Sequence, residues 1–171
     1  MASIIQELKL AGLAGSLPAE RIESYQEIYE NNRHRVYALA FWMTDNELTA
    51  DELMGHVFRR AFAHSAQPSP EVIDRALLAE LREIAPIGVI TLAAKPASQV
   101  LNVRRNILRT HLERAVVQVP STERLCFLLH DVEGYDHARI SRLLGINQAE
   151  SQTGVHQARI RIRELVAEMQ Q

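Results

Sequence analysis

The chain has 171 residues, 47% of them hydrophobic and 23% charged, with a net charge of -2. That apolar share excludes a disordered protein, and the length allows one ordinary domain or two small ones. No stretch approaches the roughly 20 apolar residues that span a bilayer, so no membrane insertion is expected. The N-terminus lacks the basic start and apolar run of a secretion signal, which points to a cytoplasmic protein. Leu, Ala, Arg, Glu and Gln dominate while Gly and Pro are few, and these are the residues of helices. An all-α protein is predicted.

Charge is unevenly spread. Residues 1–92 carry 8 basic and 13 acidic side chains, and residues 93–171 carry 11 and 8. The acidic half suits contact with protein and the basic half contact with phosphate. The lone Cys126, between Leu125 and Phe127, reads as a core thiol.

The tail ends in a loop at Gly15-Ser16-Leu17-Pro18. From Glu20 to Thr44, apolar residues recur at helical spacing through Tyr25, Tyr29, Val36, Leu39, Ala40 and Met43, with a polar gap at Asn32. After a turn at Asp45-Asn46, Thr49 is the expected cap of a second helix, with Glu52 completing a capping box. That helix presents Leu53, Val57, Phe58, Ala61 and Phe62. Ser69 and Pro70 then start a third helix, which ends before Pro86 and Gly88. Residues 86–97 read as a linker whose Val89, Ile90 and Leu92 need somewhere to pack. A fourth helix is predicted from Ser98 to Val117, carrying Val100, Leu101, Ile107, Leu108, Leu112 and Ala115. Pro120 breaks it, and Ser121 caps a fifth that runs to Val132.

Gly134 to Val166 is the most informative stretch. Asp136 caps a short helix through Leu144, Gly145 makes a tight turn, and Asn147 caps a long final helix. This is the helix-turn-helix pattern. Ile140, Leu143, Leu144 and Ile146 would fix the angle between the two helices. Val155, Ala158, Ile162, Leu165, Val166 and Met169 form an apolar stripe. Gln152, Thr153, His156 and Gln157 lie off it, followed by Arg159, Arg161 and Arg163. A recognition helix needs polar side chains near its N-terminus for base edges and guanidinium groups beyond for phosphates.

The segment from Val119 resembles region four of the extracytoplasmic-function sigma factors of the sigma-70 superfamily. It does so through Val119-Pro120, Arg124, Phe127-Leu128-Leu129, Asp131-Val132-Glu133-Gly134, Leu143-Leu144-Gly145-Ile146 and His156-Gln157-Ala158-Arg159. Tyr25–Thr44 and Thr49–Phe62 are similar to two helices of region two. The resemblance implies a region 2-like domain at 1–85, a linker at 86–97 and a region 4-like domain at 98–171. It implies binding to core RNA polymerase through Asp51, Glu52 and His56, and to promoter DNA through Gln152, Thr153, His156, Gln157, Arg159 and Arg163. An anti-sigma factor is a further expected partner. No cofactor and no catalytic or metal-binding residue is expected: the seven histidines are scattered, without an HExxH or a cysteine pair.

Departures from that pattern define an alternative. Gly55-His56 replaces a Gln-Glu pair, which is expected to weaken polymerase docking. Residues 65–92 contain no aromatic residue, and Arg75 and Arg82 are their only Lys or Arg, which argues against melting DNA by base stacking. Ser151 stands where a core Val is usual and is expected to loosen packing or bond back to a carbonyl. Gly154 stands where Arg is usual and is expected to remove a phosphate contact and loosen the helix. The alternative is a degenerate sigma mimic that sequesters an anti-sigma factor.

Overall fold

A computed structural model of the chain describes residues 19–94 and 107–170, with side chains from residue 24. The described residues are helical, with no strand. They form helices α1 (Ala19–Thr44), α2 (Glu47–His64), α3 (Pro70–Ile84), α4 (Arg109–Val117), α5 (Ser121–Phe127), α6 (His137–Leu144) and α7 (Gln148–Met169). The expected loop at Gly15–Pro18 lies outside the described residues. Two compact units emerge. The first takes the described residues up to Ala40 with Asn46–Glu80, and the second takes Phe41–Asp45 with those from Leu81 on.

In the first unit, Tyr25 meets Phe62 and Tyr29 meets Phe58, edge to face, at 4.6 and 4.8 Å between centroids. The numbers rise on α1 as they fall on α2, so the two helices run antiparallel. Leu39 and Val36 of α1, Val57 and Phe58 of α2, and Ile73 and Leu77 of α3 are buried in this unit. Asp45 ends α1 with φ +53°, a left-handed conformation that Asp and Asn tolerate better than other residues with a side chain. Asn46, rather than the expected Thr49, caps α2: its side chain accepts from the Thr49 N–H at 2.9 Å. Ser69 and Pro70 begin α3 as their residue types dictate, the Ser69 hydroxyl accepting from the Val72 N–H at 3.4 Å. Asp74, only 3% exposed, pairs with Arg35 of α1.

In the second unit, the described part of the expected fourth helix starts at Arg109. Residues 98–106 lie outside the described residues, and Ile107 and Leu108 precede the helix at 49% and 56% exposed. Pro120 is the N-cap of α5 and makes no side-chain bond, so Ser121 is the first helical residue rather than the cap. The helix continues to Val132 as expected, but its last turn is π-helical, Leu128–Val132, with Glu133 N–H donating to Leu128 O.

Two charged residues of α5 organise this unit. Arg124 donates to the carbonyls of Val117, Val119, Trp42 and Met43. Burial lowers its pKa, and Asp45 opposes that shift. Glu123 is fully buried. Its Oε1 accepts from the N–H groups of Thr91 and Leu92 at 2.5 and 2.6 Å and from the Thr91 hydroxyl at 3.1 Å. Thr122 adds a bond from the Gly88 N–H at 3.2 Å. The described part of the stretch read as a linker is thus fastened to α5.

Replacing Asp74 with Ala removes the carboxylate from the half-buried Arg35, which keeps its bond to Asn32. The first unit should lose about 1.5–3 kcal/mol in urea unfolding, the scale of a hydrogen bond to a charged group; a loss below about 0.5 kcal/mol contradicts the pairing.

Candidate nucleic-acid interface

The helix-turn-helix is built locally. The Asp136 carboxylate accepts from the Arg139 N–H at 2.6 Å and starts α6. Gly145 stops it with φ +73°, a conformation that glycine adopts without steric cost. Asn147 and Glu150 then form a reciprocal capping box at the start of α7: Asn147 Oδ1 accepts from Glu150 N–H at 2.8 Å, and Glu150 accepts from Asn147 N–H at 2.7 Å. Ile140 and Leu144 are buried on α6, with Val155, Ala158, Ile162, Leu165 and Val166 on α7.

With that side of α7 committed to the core, Gln152, His156, Arg159 and Arg163 are exposed. Their spacing of four, three and four residues places them on one face. Thr153 is half-buried beside them. Gln157 departs from the sequence reading: it is 4% exposed and belongs to the buried side. Arg161 is half-buried and paired with Glu164 at 3.2 Å and Glu168 at 3.5 Å.

Two glycine and serine positions also depart from expectation. Gly154 faces inward. A Cβ there would lie 2.9 Å from Ile90 Cδ1 and 3.1 Å from Cys126 Sγ. The missing side chain lets α7 approach α5 and the 86–94 stretch closely; it does not leave a gap on the exposed side of α7. Ser151, fully buried, bonds neither loosely nor back along its helix: its Oγ lies 3.0 Å from His137 Nδ1 of α6.

That bond belongs to a chain of polar contacts. The His137 ring stacks on His130 at 4.5 Å between centroids. His130 Nδ1 lies 2.7 Å from Asp131 Oδ1. Asp131 in turn receives Arg159, with Nε on Oδ2 at 2.8 Å and Nη2 on Oδ1 at 2.5 Å. The hydrogen bond to Arg159 is the main cause of the lowered Asp131 pKa and of the raised Arg159 pKa. His137 is shifted down, first by burial and then by the charges of His130 and Arg159. The Ser151–His137 bond and the Asp131 clasp were missed in sequence, since each joins residues 14 or 28 positions apart.

Cys126 is buried as expected. Burial, then the nearby Glu123, pushes its thiol up to about 12, so it is no nucleophile at neutral pH. Among the described residues no group of three or more His, Cys, Asp or Glu could hold a metal ion, and no helix is long and apolar enough to cross a membrane.

Residues 109–162 match the family model for sigma-70, region 4. The match begins at the start of α4 and takes in α5, α6 and the face of α7 down to Ile162. It supports a sigma-70 region 4-like domain in that part of the chain and, through it, a sigma-factor-like DNA-binding role in transcription. No curated protein matches the chain.

The second predicted patch lies on the first unit. Asp51, Glu52 and His56 are exposed on α2, and Leu48, which sequence reading passed over, is 78% exposed on the same face. His56 Nδ1 lies 3.4 Å from Glu80 of α3, which also receives Arg60 at 2.6 Å. Because α2 starts at Glu47, Asp51 and Glu52 lie past its first turn, where the helix dipole has faded. Dipole stabilisation therefore accounts poorly for this acidic pair.

Gly55 and Gly154 sit in helix interiors with opposite surroundings, since a Cβ at Gly55 meets nothing within 4 Å. Gly55→Ala should stabilise its unit by about 0.5–1 kcal/mol through helix propensity. Gly154→Ala should destabilise, by about 1 kcal/mol or more, through overpacking against Cys126. Thermal melts of both variants check this, and equal shifts contradict it.

The lowered His137 pKa has a defined pH signature. The unfolded chain takes up this proton more readily, so protonation favours unfolding. The stabilisation is whole above the ordinary value of 6.5 and is lost as pH falls through the lower folded value. Denaturation midpoints should fall between about pH 7.5 and 5, less steeply in His137→Gln; identical slopes in both proteins would refute the assignment.

Proposed function

We propose that the chain is a sigma-factor-like transcription initiation factor of the extracytoplasmic-function kind, acting in the cytoplasm. The second unit lays α7 in the major groove of the upstream promoter element. Gln152, His156 and Thr153 reach base edges near the helix start, and Arg159 and Arg163 reach phosphate oxygens farther along. Gln157, being buried, takes no part. The observation that carries this reading is the exposed stripe on the second helix of a helix-turn-helix whose opposite side is spent on the core. The first unit binds core RNA polymerase through Leu48, Asp51, Glu52 and His56 of α2, and an anti-sigma factor is the natural inhibitor of such a protein. The mechanism is positioning and recognition, without covalent chemistry.

The absence of aromatic residues from 65–92 favours a second reading, a sigma mimic that occupies an anti-sigma factor. Capture of core polymerase followed by run-off transcription separates the two. Polymerase binding with transcripts supports the initiation factor, and polymerase binding without transcripts overturns it in favour of the mimic.

Within the DNA-binding reading, Arg163→Ala should weaken binding to all duplexes alike and reduce the slope of log affinity against log salt by about 0.9, one phosphate contact. Gln152→Ala should change sequence preference while leaving that slope intact. An unchanged slope in Arg163→Ala would reduce the residue to surface charge.

A further inference from the structure

We propose that Asp131 is a built-in counter-ion that clasps Arg159 in the DNA-free protein and must be displaced before Arg159 can hold a phosphate. The inference rests on the DNA-binding reading above. Its basis is that the guanidinium is already used in the way a phosphate would use it. Nε and Nη2 present two near-parallel donors to the two oxygens of one carboxylate, at 2.8 and 2.5 Å. Bidentate recognition of phosphate needs the same fork. One fork cannot serve both anions.

The clasp is positioned by more than Arg159. Asp131 sits in the π-helical turn that closes α5, 28 residues from its partner. His130 Nδ1 shares Oδ1 with Arg159, at 2.7 Å, and is itself braced by the stacked His137 ring. When Arg159 swings to a phosphate, the carboxylate therefore keeps one hydrogen-bonding neighbour. The exchange is then close to balanced: one exposed ion pair is traded for another, and the remaining Asp131 charge opposes the approaching backbone. Asp131 thus acts as a positioning residue that sets how strongly α7 grips DNA irrespective of sequence, leaving discrimination to Gln152 and His156.

The test compares the full chain with Asp131→Asn, Arg159→Ala and the double variant on a duplex of random sequence across a salt series. Asp131→Ser serves as a second variant should Asn fail to fold. Asp131→Asn should bind about two- to fivefold more tightly, the size of an exposed ion pair. Its salt slope should match that of the unaltered chain, since Arg159 holds one phosphate in both complexes. Arg159→Ala should abolish the gain in affinity. A readout without DNA accompanies it: Arg159 should react faster with phenylglyoxal in Asp131→Asn than in the unaltered chain. Overturning results are an unchanged or weaker affinity, or a gain that survives in the Arg159→Ala background and so reflects net charge alone. If no protein of the set binds duplex even at low salt, the DNA-binding reading fails. Faster phenylglyoxal reaction would then locate the failure in that reading and not in the clasp.

Discussion

The face that α7 offers to solvent depends on one close approach. Gly154 brings the backbone of α7 against Cys126 of α5 and Ile90 of the preceding stretch, where a Cβ would come within 2.9 Å of its nearest neighbour. Side chains on a helix are fixed relative to one another, so seating Gly154, Val155, Ala158 and Ile162 inward turns Gln152, His156, Arg159 and Arg163 outward. A helix forced to roll at this point would move all four polar residues at once.

Buried polar groups hold the rest of the second unit to that geometry. Arg124 gathers carbonyls left over at the ends of two helices, a need that every helix terminus creates. Glu123 does the complementary task for the N–H groups of Thr91 and Leu92, which brings Ile90 over Gly154. Ser151 and His137 tie the two helices of the helix-turn-helix through a side-chain bond within a mostly apolar contact. Such groups are costly when unpaired, and once paired they specify one arrangement over its near alternatives.

Legibility in the sequence followed the range of the interaction. Asp136, Gly145 and Asn147 could be placed because each acts within three or four residues of itself. The antiparallel pairing of α1 and α2 is the packing that two apolar stripes joined by a short turn allow. Where two local solutions competed, sequence chose the wrong one: Thr49 and Glu52 satisfy a capping pattern, but Asn46 caps earlier and leaves Leu48 exposed. The roles of Gly154, Ser151 and Gln157 depended on which segment lay across from them, and residue type alone could not show it. Gly154 looked like a lost arginine because the pattern of a resembling family supplied the comparison; its real neighbours are Cys126 and Ile90. Arg159 looked like an uncommitted cation because its carboxylate partner lies 28 residues away.

The most direct test of the account is to map backbone amide shifts while the full chain is titrated with duplex DNA. Perturbations concentrated at the exposed positions of α7 and at its capped N-terminus, with the Gly154 and Gln157 side quiet, are what the account predicts. Shifts confined to the first unit, or strongest on the buried side of α7, would contradict it.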